Sequence, residues 1–207
     1  MDIKLDSKNI KNIVFDVGGI LLGYRWKEMF SDHGTDEETA TIVGRGFFDS
    51  ENWLLYDAGL IDTDELIKRF CADNPKYEEE GRWFIDNAIL MRVPRPKVYE
   101  EISRLREKGY KIYLLSNYSE HLFKLHTADL PFRKMTDGEL VSYMINEIKP
   151  NPPIYKELLE RFNLNAKETL FFDDRIDNVE AANNAGMKGV HIIDASEELL
   201  LSYLNML

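Results

Sequence analysis

At 207 residues the chain fits one domain, or a core with a modest insert, and can bury roughly 70% of its unfolded surface. Its net charge of −11 argues against nucleic acid or an anionic membrane as partner, since both call for a surplus of Lys and Arg. An anionic ligand would have to be held locally, by a metal ion, one or two placed cations, or backbone N–H groups.

Cys71 is the only cysteine, so no internal disulfide is expected, and within Leu66-Ile67-Lys68-Arg69-Phe70-Cys71 it reads as a helix residue rather than a nucleophile. Met1 to Lys11 alternates charged and apolar residues without the apolar core of a signal peptide. No apolar run approaches a membrane span. A soluble, cytoplasmic protein is the expectation.

The first element is a buried strand, Ile10 to Val17, ending on Asp16-Val17-Gly18-Gly19-Ile20. The following stretch, 23–95, is too long for one strand-to-strand crossover and has helical patterning of its own. Asp62-Thr63-Asp64-Glu65 resembles a capping box ahead of Leu66, Ile67 and Phe70. Trp53, Leu54, Leu55, Tyr56, Trp83, Phe84 and Ile85 would give this insert a small core, with Glu78-Glu79-Glu80 on a solvated helix face. Pro96 opens a helix running to Gly109, with Val98, Ile102 and Leu105 on one side. A second strand, Lys111 to Leu115, ends on Ser116-Asn117. A helix opened by Pro153 carries Ile154, Leu158 and Phe162, and lies just after Lys149-Pro150. A third strand, Thr169 to Phe172, ends on Asp173-Asp174. A helix through Val179, Ala182 and Ala185 stops at Gly186, and Gly189 to Ile193 reads as a fourth strand.

Strands alternating with helices imply an α/β fold: a Rossmann-like core with a parallel sheet, carrying an inserted small α-helical cap. The expected division is 1–22 and 96–207 for the core and 23–95 for the cap. Ligands of such sheets bind beyond the carboxyl ends of the strands, where the polar clusters fall.

Those clusters hold what phosphoryl transfer needs. A carboxylate can attack phosphorus and split one difficult displacement into two easier ones. Acidic residues from another strand can share a hard cation with it, and a hydroxyl and a lysine can hold the remaining oxygens. Gly18 and Gly19 let backbone N–H groups come close to a phosphate.

In this order, "IVFDVGGIL", "IYLLSN", "IKPNPPIY" and "LFFDDRIDNVEAANNAGM" resemble the four motifs of the haloacid dehalogenase-like hydrolase superfamily, over nearly the whole chain. The place and size of the insert match the members with a helical cap of the first type. The resemblance implies a magnesium-dependent phosphatase acting on a small phosphorylated metabolite. It makes Asp16 the nucleophile and a metal ligand, the Gly18 carbonyl a second ligand and Asp174 a third, with Asp173 reached through water. Ser116, Asn117 and Lys149 map to phosphate binding.

One departure stands out. Many phosphatases of the superfamily carry a second Asp two positions after the nucleophile as general acid and base, and here that position is Gly18. The pattern D-x-G-[GN], together with "WLLYDAGLIDTDEL", is similar to the branch that includes glucose-1-phosphate phosphatases. That suggests a sugar phosphate with a good, anomeric leaving group. Four other readings compete: dehalogenation, which needs no metal; a mutase; a receiver domain, in which the acidic pair would come first in the chain; and a non-catalytic binding module of the same fold. Arg45, Trp53 and Tyr56 are candidates to meet substrate from the cap. His33, His121, His126 and His191 show no ligand spacing and receive no role.

Overall fold

The computed structural model describes residues 8–207. The reading of Met1 to Lys11 and the start of the expected core therefore lie partly outside the described residues. In chain order the elements are β1 (Asn12–Phe15), β2 (Leu22–Tyr24), α1 (Trp26–His33), α2 (Glu37–Phe48), α3 (Glu51–Asp57), α4 (Thr63–Asp73), α5 (Glu78–Asp86), β3 (Arg92–Pro94) and α6 (Pro96–Glu107). There follow β4 (Lys111–Ser116), α7 (Glu120–Thr127), β5 (Gly138–Val141), α8 (Pro152–Arg161), β6 (Thr169–Asp173), α9 (Ile176–Asn184), β7 (Lys188–His191) and α10 (Glu197–Leu204).

The core is a parallel sheet in the order β5-β4-β1-β6-β7. Its central strands β1, β4 and β6 are buried on both faces, and their side chains sort by the two-residue period of a strand. Val14, Tyr113, Leu115 and Phe171 face one way, onto Ile154, Tyr155 and Leu158 of α8. Ile13, Phe15, Leu114 and Phe172 face the other, onto Val98, Ile102 and Leu105 of α6 and Leu200 and Leu204 of α10. The central strand β1 pairs with β4 and β6 in registers that set Phe15 against Leu114 and Phe172. The residues just beyond, Asp16, Ser116 and Asp173, are thereby brought to the same edge.

The fifth strand, β5, was not among the expected ones. Gly138-Glu139-Leu140-Val141 has no apolar run to announce it, and Gly138 owes its place to packing: a Cβ there would lie 2.4 Å from the Phe162 ring. Strand ends also shift. β1 is shorter than Ile10 to Val17, and Ile193 leaves the sheet for a 3₁₀ turn, Ile193–Ala195.

Helices α1 to α5 form a cap inserted between β2 and β3, which pair antiparallel as its stalk. Its core is aromatic. Phe47 stacks on Phe70 with centroids 4.1 Å apart, and Phe30 on Phe84 at 5.3 Å. Tyr56, Phe84 and Ile85 are buried as expected, whereas Leu54 is exposed. Only half of the capping box at Asp62 forms. Its carboxylate accepts from the Glu65 N–H at 2.9 Å, but the Glu65 carboxylate turns to Lys68 and Arg69 instead. Glu78, Glu79 and Glu80 make the first turn of α5, where the helix dipole favours negative charge.

Gly81 lies inside α5, and a Cβ there would stand 2.1 Å from the Phe70 ring. Helix propensity alone would favour Gly81→Ala by about 1 kcal/mol. Overpacking costs about 1–3 kcal/mol, so the clash should win. Urea unfolding should show a net loss of stability; a stabilised variant would mean that the cap core is looser than described.

Candidate active site

Asp16 follows the central strand, and three donors converge on one of its oxygens. Oδ1 accepts from the Val17 N–H at 2.7 Å and from the Ser116 hydroxyl at 2.6 Å, and it lies 3.0 Å from the Lys149 Nζ. Oδ2 is the oxygen these donors do not claim.

Lys149 is buried, with 1% of its side chain exposed. Besides Asp16, its ammonium meets Asp173 Oδ2 at 2.6 Å and donates to the Leu115 carbonyl at 3.0 Å. Burial alone would make this lysine easier to deprotonate, but Asp16 and Asp173 more than offset that and hold it charged. Asn117 does not point into the cleft as a free amide. It clamps the main chain of Lys149 from both ends, accepting from its N–H at 2.7 Å and donating to its carbonyl at 2.8 Å.

Asp173 and Asp174 are adjacent in sequence but differ in surroundings. Asp173 is fully buried, and besides Lys149 it accepts from the Arg175 N–H at 2.8 Å and from the Asn178 amide at 3.1 Å. Asp174 lines the cleft with Asp16. It presses against the loop after β1: Gly19 has φ +71°, and a Cβ there would stand 2.4 Å from Asp174 Oδ2. Arg95 holds the same loop from behind, its guanidinium donating to the carbonyls of Gly19 (2.7 Å) and Ile20 (3.0 Å). The Gly18 carbonyl is not among those Arg95 takes.

Asp16, Asp173 and Asp174 each present an oxygen within 4.8 Å of the others. Three carboxylates against the one ammonium of Lys149 leave two negative charges. All the donors are hard oxygens, the set that suits magnesium. Burial pushes Asp16 up to about 7, with Lys149 and Ser116 lowering it and Asp173 and Asp174 raising it further. Asp174 is raised too, by burial and then by Asp173.

The cleft above Asp16 has a volume of about 920 Å³ and is closed on the far side by the cap. Of the three cap candidates, Arg45 and Trp53 line it. Tyr56 does not: it is buried, and its hydroxyl lies 2.9 Å from that of Thr63. Two residues that received no role from the sequence line it as well. Tyr24 comes up from the stalk, and Asp57 from the end of α3. Burial pushes Asp57 up to about 7, while the Ser119 N–H and the Trp53 side chain lower it. Its main chain is tied to the core, since the Ser142 hydroxyl donates to the Asp57 carbonyl at 2.5 Å.

The family model for haloacid dehalogenase-like hydrolases matches residues 10–186. The chain belongs to this family. Within it the chain is a phosphoric monoester hydrolase, in line with its curated relatives. The sesquiterpene phosphatase astK of Aspergillus oryzae is 25% identical over 187 residues, covering 89% of this chain and 91% of its own. A D-ribitol-5-phosphate phosphatase of Bacteroides thetaiotaomicron is 25% identical over 201 residues, 86% of this chain and 90% of its own. Among solved structures, the wild-type HAD family enzyme bt-2542 of the same organism, in complex with magnesium and inorganic phosphate, superposes with a TM-score of 0.71. It is 25% identical and the match covers 88% of this chain and 93% of that one. No helix among the described residues is long and apolar enough to cross a membrane.

A cation binds the ionised carboxyls, so below about pH 7 it must displace protons from them. Magnesium affinity should therefore rise with pH, by up to about tenfold per unit for each proton displaced, and level off above pH 7. Calorimetric titration in two buffers of different ionisation enthalpy reads the protons released. Binding without proton release at pH 6 would contradict the raised carboxyls.

Proposed function

We propose that this phosphatase is magnesium-dependent and hydrolyses a small phosphorylated metabolite through an aspartyl phosphate at Asp16. The observation that carries the reading is the convergence of Val17 N–H, Ser116 and Lys149 on Oδ1 of Asp16. The same Ser116 hydroxyl and Lys149 ammonium stand where they could donate to a phosphoryl group carried on Asp16.

In the proposed reaction, Oδ2 of Asp16 attacks phosphorus, the bond from phosphorus to the ester oxygen breaks, and an acyl phosphate forms. Water then attacks the same phosphorus and returns the carboxylate. Lys149 offsets charge between Asp16 and the incoming dianion, and Ser116 donates to a phosphoryl oxygen. Asn117 serves by fixing the Lys149 main chain, with its own N–H available to phosphate. Asp16, the Gly18 carbonyl and Asp174 are the residues assigned to hold magnesium. When bound, the ion supplies positive charge against the phosphoryl oxygens and lowers the repulsion met by an anionic nucleophile. Asp173, already saturated with donors, orients Lys149 and the loop that carries Asp174.

The acidic pair at the end of β6 favours this over dehalogenation, which has no use for a cation. A mutase would run the same first half and hand the phosphoryl group to a second hydroxyl instead of water. The cap, taken as residues 23–95, closes over the core of 1–22 and 96–207 and selects the organic part of the substrate, with Arg45 and Trp53 in reach. Sugar phosphates are the first class to screen. A substrate with a good leaving group, such as an anomeric sugar phosphate, is one answer to the glycine at position 18; a proton supplied from elsewhere in the protein is the other.

Asp16→Asn should keep the fold and lose turnover of p-nitrophenyl phosphate by far more than the tenfold that 1.4 kcal/mol represents. More than about a tenth of wild-type rate would remove Asp16 as the nucleophile. Excess EDTA should stop phosphate release and added magnesium restore it; full activity in EDTA would revive the metal-free reading.

A further inference from the structure

Where relatives with a second aspartate carry its carboxyl, this chain carries a glycine, and the space is not empty. A Cβ built on Gly18 would lie 3.0 Å from the Tyr24 hydroxyl and 3.1 Å from its ring. The phenol oxygen thus stands about where a carboxyl group on residue 18 would reach. Tyr24 is 41% exposed and opens on the cleft beside Asp16.

Behind it runs a chain of hydrogen bonds into the protein. The Tyr24 and Tyr118 hydroxyls are 2.5 Å apart, and Tyr118 Oη lies 2.8 Å from His126 Nδ1. His126 is completely buried, and its Nε2 is 3.0 Å from the Ala88 carbonyl. A carbonyl only accepts, so Nε2 carries a proton and Nδ1 of the neutral ring accepts from Tyr118. The Tyr118 proton being committed, Tyr24 donates to Tyr118 and offers its lone pairs to the cleft.

We propose that Tyr24, backed by Tyr118 and His126, is the acid and base that replaces the missing second carboxylate, passing protons between the cleft and a buried imidazole. This rests on the phosphatase reading and deepens it. In the hydrolytic half, the attacking water gives a proton to Tyr24, Tyr24 gives its own to Tyr118, and Tyr118 gives its own to Nδ1. The water's oxygen pair forms the new bond to phosphorus, the bond to Asp16 breaks, and an imidazolium remains. In the next first half the same proton returns along the chain to the departing ester oxygen. Neither tyrosine ends either half ionised. The imidazolium keeps every hydrogen bond, with Nδ1–H to Tyr118 and Nε2–H to Ala88.

The basicity of the terminal group fits. Burial pushes His126 down to about 4, the hydrogen bond to the Ala88 carbonyl opposing the shift and Arg92 and His121 adding to it. At neutral pH the ring is therefore neutral, and its Nδ1 is free to accept the relayed proton. Tyr24 is the catalytic residue here; Tyr118 and His126 act through it as positioning residues.

Tyr24→Phe and Tyr118→Phe separate this from a packing role, because each removes one oxygen from the chain and leaves the ring. The substrates are p-nitrophenyl phosphate, whose leaving group needs no proton, and glycerol phosphate, whose leaving group does. Both variants should lose about 10²-fold or more in kcat on glycerol phosphate, with KM little changed. On p-nitrophenyl phosphate they should release a burst of about one nitrophenol per enzyme and then turn over slowly, because only the hydrolysis of the acyl phosphate needs the relay. Gly18→Asp combined with Tyr24→Ala, which makes room for the carboxyl, should regain part of the glycerol phosphate activity. Wild-type kinetics in Tyr24→Phe would overturn the proposal, and so would a loss in Tyr24→Phe that Tyr118→Phe does not share. Selective loss in Asp57→Asn instead would give the role to the cap carboxyl and overturn the relay while leaving the phosphatase reading standing. A wild-type enzyme inactive on both substrates with magnesium would overturn that reading and the relay together.

Discussion

The site depends on one buried ammonium. Lys149 lies between Asp16 and Asp173 with almost no exposure, and its third proton goes to the Leu115 carbonyl. Stripping two opposite charges of water costs several kcal/mol per ion, so such a group persists only with excellent geometry and no donor left idle. Here each donor is used. Removing one partner of such a pair costs about 3–5 kcal/mol, because the other charge is left buried and uncompensated. The lysine therefore ties together the ends of β1, β4 and β6, which carry Asp16, Ser116 and Asp173.

The remaining arrangement follows from charge. One ammonium cannot neutralise three carboxylates, and the residue of two negative charges sits beside Gly18 and Gly19. The fold resolves this by dividing labour between neighbours in sequence. Asp173 is spent on structure, gripping Lys149, the Arg175 N–H and Asn178, while Asp174 is turned to the cleft. Adjacent residues at a strand end point to opposite sides, so a single acidic pair can do both.

Much of this was legible in the sequence because it lies in runs. Three buried strands ending on Asp16, Ser116 and Asp173-Asp174 carry their own signal: apolar residues, then polar ones, in a register that only a parallel sheet would align. The insert was legible by length, and its helices by capping and aromatic content. β5 was not, since only Leu140 and Val141 of its four residues are large and apolar and its glycine answers to Phe162, distant in sequence. Tyr24 and Asp57 were missed for a related reason. A tyrosine in a short strand and an aspartate at a helix end read as packing and capping, and their partners are distant in sequence. Tyr118 meets Tyr24 across 94 positions, and Ser142 reaches Asp57 across 85. His126 shows no ligand spacing because it binds a phenol and a carbonyl rather than a metal. Asn117 was assigned to phosphate by its place in a motif, and its side-chain clamp on the Lys149 main chain, 32 positions away, has no signal in the sequence.

In the proposed mechanism the phosphoryl group rests on Asp16 between two displacements. Acid-quenching the enzyme during turnover of p-nitrophenyl phosphate with magnesium, followed by mass spectrometry of its peptides, tests this directly. The account predicts one phosphoryl group on the peptide that contains Asp16, absent when EDTA is present throughout and absent from Asp16→Asn. Steady turnover with no phosphoryl group on that peptide, or with the group on a different residue, would contradict it.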